Sequence, residues 1–159
     1  MTPAESTRFR LIYSYLQPRF DNGSLILLDV DKGYLFFTSA LLHKKYGKKG
    51  SGQWGDIPDR FFFALNYAPV VKNGEKKRDL DIELFDYGYK EEREALLASI
   101  VTSPLLSNLE DRKGYTCLAR HRLLAASPKK SDADALADIG CSLVDFLGQG
   151  LEKLEAEIG

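Results

Sequence analysis

The chain is poor in the side chains that most often carry chemistry: its 159 residues include two histidines, two cysteines, one methionine and one tryptophan. His43, His121, Cys117 and Cys141 show no CxxC spacing and cannot make a zinc site, which needs four nitrogen or sulfur ligands gathered together. Cys117 and His121 fall on one strand, roughly 13 Å apart, too far for a nucleophile–base pair. No GxSxG elbow marks a hydrolase nucleophile, and no Gly-Lys is followed by Ser or Thr as in a phosphate-binding loop. No apolar run approaches the ~20 residues of a membrane span. The first residues, MTPAESTRFR, lack the charged-then-apolar pattern of an export signal, so a cytoplasmic chain without membrane contact is expected. Both cysteines sit among apolar neighbours and are expected to be buried free thiols.

Charge of one sign is lacking overall, with a net charge of −1. That speaks against strong non-specific DNA binding, which needs a positive field. The distribution is uneven, however. Ser131 to Gly159 hold seven acids and one base, a balance of −6, which leaves +5 on the first 130 residues. Hydrophobic residues at 44% and charged residues at 28% are those of a chain that buries a core, and the length suits a single domain.

The elements follow from periodicity and punctuation. Thr2-Pro3-Ala4-Glu5 is a helix start, and Phe9, Ile12, Leu16 and Phe20 then recur at helical spacing, predicting a helix over about 3–18. Ser24 to Val30 and Tyr34 to Thr38 read as a hairpin. Ser39 to Tyr46 either extends the second strand or forms a short helix, and Gly47 to Gly55 is a glycine–lysine loop. Arg60 to Val71 is a strand apolar on both faces, followed by the hairpin pair Asn73-Gly74 and a strand over Asp79 to Tyr87. A helix covers Lys90 to Val101, with a short second piece over Leu105 to Leu109, and a fifth strand runs over Tyr115 to Ala125. A helix from Ser131 carries a stripe of about seven turns, Leu136, Ile139, Leu143, Phe146 or Leu147, Leu151, Leu154 and Ile158. Gly140, Gly148 and Gly150 interrupt it at about 1 kcal/mol each, which close approach of a neighbouring element would explain. The order α-β-β-β-β-α-β-α predicts an α+β fold: a mainly antiparallel sheet of about five strands with helices packed on it.

Three constellations are candidates for function, and none makes a catalytic set. Asp79, Asp81 and Glu83 share one strand face. They are the metal candidates, since hard cations take carboxylate oxygens, but Arg120 and Arg122 on the fifth strand offer cross-strand ion pairs instead. Lys44, Lys45, Tyr46, Lys48, Lys49 and Trp54 form a basic, aromatic-flanked loop able to contact an acidic protein or nucleic acid. Phe85 and Tyr87, with Tyr34 and Phe36, lie on strand faces that a two-layer domain need not cover, as interface aromatics do. Leu151, Leu154 and Ile158 lie on the distal part of a helix nearly as long as the domain is wide. Helix 1 covers them, or a second copy does, which would make a homodimer.

The stretch Leu80-Asp-Ile-Glu-Leu-Phe-Asp-Tyr-Gly-Tyr-Lys-Glu-Glu-Arg-Glu-Ala-Leu-Leu, the strand Arg112-Lys-Gly-Tyr-Thr-Cys-Leu-Ala-Arg and the long final helix resemble a domain often attached to restriction-type nucleases. The resemblance lies in element order and polarity, carries no site residue, and implies a bacterial or phage defence or anti-defence setting. In size and element order the chain is also similar to small acidic secretion chaperones, which dimerise and bind extended segments. Leu28-Asp29-Val30-Asp31 resembles the start of a haloacid-dehalogenase-type phosphatase, without the Gly-Thr that should follow. The expected function is a non-enzymatic protein-binding module or inhibitor with no cofactor. The alternatives are a metal-dependent nuclease using the acidic strand face and a dimeric chaperone.

Overall fold

In the first helix, Thr2 stays extended and its hydroxyl accepts the Glu5 N–H at 3.1 Å, so the chain turns helical at Pro3, where no amide is needed. The computed structural model describes residues 2–31, 33–52, 56–100, 110–126 and 130–158. Helix α1 spans Pro3–Asp21 and passes through Pro18, where it was expected to end. Pro18 removes one donor, but its carbonyl still accepts the Asn22 N–H at 3.1 Å. Phe20, on the added turn, packs edge-on against Phe37 at 6.1 Å.

Strands β1 (Leu25–Asp31) and β2 (Tyr34–Ser39) form the first hairpin. Ser39 then caps a short helix α2 (Ala40–Tyr46) by accepting the Leu42 N–H at 3.2 Å, which settles that segment in favour of helix. Strands β3 (Phe61–Lys72) and β4 (Glu75–Asp86) are joined by Asn73-Gly74, with φ of 53° and 77°. That two-residue turn leaves no slack. Pairing therefore begins at Lys72 opposite Glu75 rather than at Asp79, and runs without a break to Phe61 opposite Asp86.

Helix α3 covers Lys90–Ile100, the three-residue strand β5 covers Glu110–Arg112, and β6 covers Tyr115–Leu124. The short piece expected over 105–109 lies outside the described residues. The sheet is antiparallel throughout, in the order β1-β2-β3-β4-β6-β5, and the fold is α+β as expected. Strand β5 is a minor addition at its edge.

Helix α4 (Asp132–Asp145) starts at Ser131 and passes through one π-helical stretch, Phe146–Gly150, into α5 (Leu151–Ile158). The wider π turn rotates Phe146 and Leu147 so that both are buried, where an α-helix would favour one. A Cβ on Gly140 would stand 3.0 Å from the Tyr15 hydroxyl, so that glycine permits close contact of α1 with α4. Gly148 has no such neighbour within 4 Å.

The main core lies between one sheet face and these helices, with Phe37, Phe63, Leu65, Ile82, Leu84 and Leu118 meeting Ile12, Leu16, Ile139, Leu143 and Phe146. Leu151, Leu154 and Ile158 belong to it and are only 6%, 8% and 6% exposed. Leu154 lies beside Phe63, Leu84 and His121, and the Ile158 carbonyl accepts the Tyr46 hydroxyl at 3.4 Å. These three side chains therefore form no exposed patch, and the case for a second copy at this helix falls. Sheet residues and Tyr46 lie against this end of the helix, a cover that neither alternative named. Cys117 is buried, but Cys141 is exposed because it lies on the outer side of α4. Among the described residues, no helix is long and apolar enough to cross a membrane.

Candidate functional site

On β4, alternation sends Leu80, Ile82 and Leu84 into the core and Asp79, Asp81 and Glu83 to the opposite face. The β4–β6 register sets Asp81 opposite Arg122 and Glu83 opposite Arg120. Arg122 bridges Asp79 at 3.0 Å and bonds Asp81 through its Nε. Arg120 Nη2 lies 3.1 Å from Glu83 Oε1, and Arg112 Nη1 lies 3.3 Å from Glu83 Oε2. Asn66 donates to Glu83 at 2.6 Å, and the Ala126 N–H donates to Asp79 at 2.6 Å.

Burial pushes the Asp81 carboxyl up, against the opposing pull of Arg122 and Arg120. The three carboxylates named as metal candidates are engaged in cross-strand ion pairs. Guanidinium groups occupy the oxygens that a cation would need, and no metal-holding group of three His, Cys, Asp or Glu residues exists among the described residues. Cys117, whose thiol donates to Glu83 at 3.4 Å, is pushed up to about 12 by burial and the Glu83 charge. It is a poor nucleophile at neutral pH.

Phe85 and Tyr87 follow on the same face, but they do not form an exposed patch. They are 9% and 5% exposed, within a second cluster that includes Phe36, Ile57, Phe62 and Cys117. Tyr87 stacks between Phe62 at 5.1 Å and Tyr115 at 4.7 Å, and Phe85 meets Tyr115 edge-on at 5.4 Å. Burial, and then the neighbouring Tyr115, push the Tyr87 hydroxyl up to about 12. The aromatics cover one another, and among the described residues no helix contributes to this cluster.

The lysine loop divides. Lys44, Lys45, Lys48 and Lys49 are exposed, whereas Tyr46 turns inward, edge-on to Phe61 at 4.8 Å. Trp54 lies outside the described residues. The segment is tied down at both ends: the Tyr46 carbonyl accepts the Arg60 N–H at 3.0 Å, and beyond Lys49 the Gly50 N–H donates to the Pro58 carbonyl at 2.9 Å and the Ser51 N–H to the Tyr87 carbonyl at 2.7 Å. His43 Nδ1 lies 2.7 Å from buried Asp59, whose carboxyl is pushed up by burial and held down by His43. Arg60 grips Asp86 through two bonds of 2.8 and 2.9 Å. The arrangement is a braced lobe with a cationic surface. It offers no described aromatic face on which a base could stack.

A broad concavity lies elsewhere. The distal arms of the β3–β4 hairpin extend past their neighbours: β2 pairs with β3 only at Ala64 and Phe63, and β6 pairs with β4 no further out than Leu80. The face that is core further in thus continues beyond its helical cover. Between it and the first turns of α1 and α4 lies a cleft of about 810 Å³. Tyr67, Val71, Leu80, Leu124 and Ala135 supply apolar wall, and Arg8, Lys76, Lys77, Arg78 and Lys130 supply cations against the acids Glu5 and Asp132. Val71 is 71% exposed, the most exposed large hydrophobic residue among those described.

The Tyr67 hydroxyl is buried and has no hydrogen-bond partner among the described residues. Periodicity and motif spacing do not reveal this site. Its only linear signal is four cations, Lys72, Lys76, Lys77 and Arg78, clustered with Val70-Val71 about an Asn-Gly turn. No protein-family model, curated protein or solved structure matches the chain.

Proposed function

We propose that the chain is a non-enzymatic protein-binding module, or an inhibitor, that acts by protein–protein contact through the cleft beneath the β3–β4 hairpin. One observation carries this reading: an open concavity of about 810 Å³ with an apolar interior, a charged rim and an exposed valine at its lip. Interfaces are built in this way, with an apolar centre inside a polar rim, and large formed concavities are the usual binding sites. The acid face supports the reading indirectly, because its carboxylates are engaged by arginines that stabilise the sheet. The bacterial or phage defence or anti-defence setting implied by the resemblance of the second half belongs to the same proposal.

The test is site-specific photo-cross-linking in the organism of origin, with a benzophenone side chain at Val71 and, as controls, at Tyr89 and Val144, which are 59% and 61% exposed. A discrete protein adduct from Val71 and none from the controls is expected. Equal adducts from all three positions, or none from Val71, would contradict the proposal.

A further inference from the structure

We infer that the occupant of this cleft is an extended acidic polypeptide segment with interspersed apolar side chains, an inference that rests on the binding-module reading. The rim has an excess of cations. Arg78 pairs with Glu5 and Arg8 lies 3.7 Å from Asp132, while Lys76, Lys77 and Lys130 have no acid within the lining. A guanidinium has five N–H donors, so Arg8 and Arg78 retain donors beyond those pairs. The surface acids that pair with Lys77 and Lys130 are Glu75, at 3.7 Å, and Asp138. Exposed pairs of that kind exchange readily for a new carboxylate.

The Tyr67 ring is the only aromatic in the described lining, and the Arg78 guanidinium already covers it at 4.8 Å. Nucleic acid would therefore find cations here but no free ring on which to stack, whereas a peptide needs none. The remaining lining, Val71, Leu80, Leu124 and Ala135, suits aliphatic side chains that alternate with carboxylates along an extended chain.

The experiment is fluorescence anisotropy with three labelled probes: a dodecapeptide alternating glutamate with leucine and valine, the same peptide with lysine for glutamate, and a single-stranded RNA dodecamer. The intact protein should bind the glutamate peptide in preference to the other two. Binding should weaken about tenfold between about 50 and about 300 mM salt, as a screened rim requires. The Lys76→Glu/Lys130→Glu double variant, checked for folding by circular dichroism, should weaken it about tenfold, and Lys48→Glu/Lys49→Glu should leave it unchanged. The inference is overturned by tighter binding of RNA or the lysine peptide, by equal affinity in the cleft variant, or by no glutamate-peptide binding at about 1 mM. The two readings fail separately. A Val71 cross-link to a partner without an acidic stretch would keep the module and discard the acidic occupant, whereas no Val71 cross-link would discard the module itself.

Discussion

Glu83 is the most heavily engaged carboxylate of the acid face, and its removal measures what that face does. The side chain has no solvent exposure and meets Asn66 at 2.6 Å, Arg120 at 3.1 Å, Arg112 at 3.3 Å and Cys117 at 3.4 Å. Breaking one side of a buried ion pair removes about 3–5 kcal/mol. Here the abandoned arginines are 24% and 30% exposed and can turn towards water, which places Glu83→Ala at the lower end, about 3 kcal/mol. Glu83→Gln keeps a carbonyl acceptor and should lose about half as much. At about 2–4 °C per kcal/mol for a chain of this size, Glu83→Ala should lower Tm by about 6–12 °C. Urea titration followed by far-UV circular dichroism gives the free energy directly. A loss below about 1 kcal/mol would refute the structural role. If Mg²⁺ then also raised the Tm of the wild-type protein, the acid face would have to be reconsidered as a cation site.

The pH dependence has a definite sign. The folded-state pKa of Asp81 is raised above the ordinary 3.8, so its contribution is fully present below that value and is lost as pH rises through the folded pKa. The Tm of wild type relative to Asp81→Asn should therefore fall as pH rises from below 3.8 towards neutrality, and a rising difference would contradict the assignment. Cys141 is exposed and Cys117 buried, so a thiol reagent should titrate one group in the native protein and two in denaturant. Fast reaction of both native thiols would show that the β6 face opens. Gly148 is exposed, and a Cβ there meets nothing within 4 Å, so Gly148→Ala should stabilise by about 0.5–1 kcal/mol in chemical denaturation. Destabilisation would show that the π turn itself requires glycine.

The features legible in the sequence are local or strictly periodic. Asn73-Gly74 specifies its turn through positive φ, and period-two alternation places the acids of β4 on one face and Arg120 and Arg122 of β6 on one face, while the register that sets Asp81 opposite Arg122 and Glu83 opposite Arg120 is seen only in the structure. Four further features depend on tertiary packing and are not legible in the sequence. The π turn needs the packing that buries Phe146 and Leu147 together. The closure of Phe85 and Tyr87 depends on Tyr115, which is remote in sequence. Leu151, Leu154 and Ile158 resemble a subunit interface because apolarity alone does not say which surface covers a helix. The cleft arises from a mismatch in length: twelve-residue hairpin arms outrun helices that begin at Pro3 and Asp132. No single segment records that difference.

Occupation of the cleft beneath the hairpin can be read residue by residue from amide chemical shifts. Isotope-labelled protein is titrated with the glutamate–leucine–valine dodecapeptide, and shifts are followed residue by residue. The largest changes should fall on Tyr67 to Arg78, on Leu124 to Ala126 and on the first turns of α1 and α4, with little change at Lys44 to Lys49. Changes concentrated on Lys44 to Lys49 with the hairpin silent would contradict occupation of the cleft and move the binding surface to the lysine lobe.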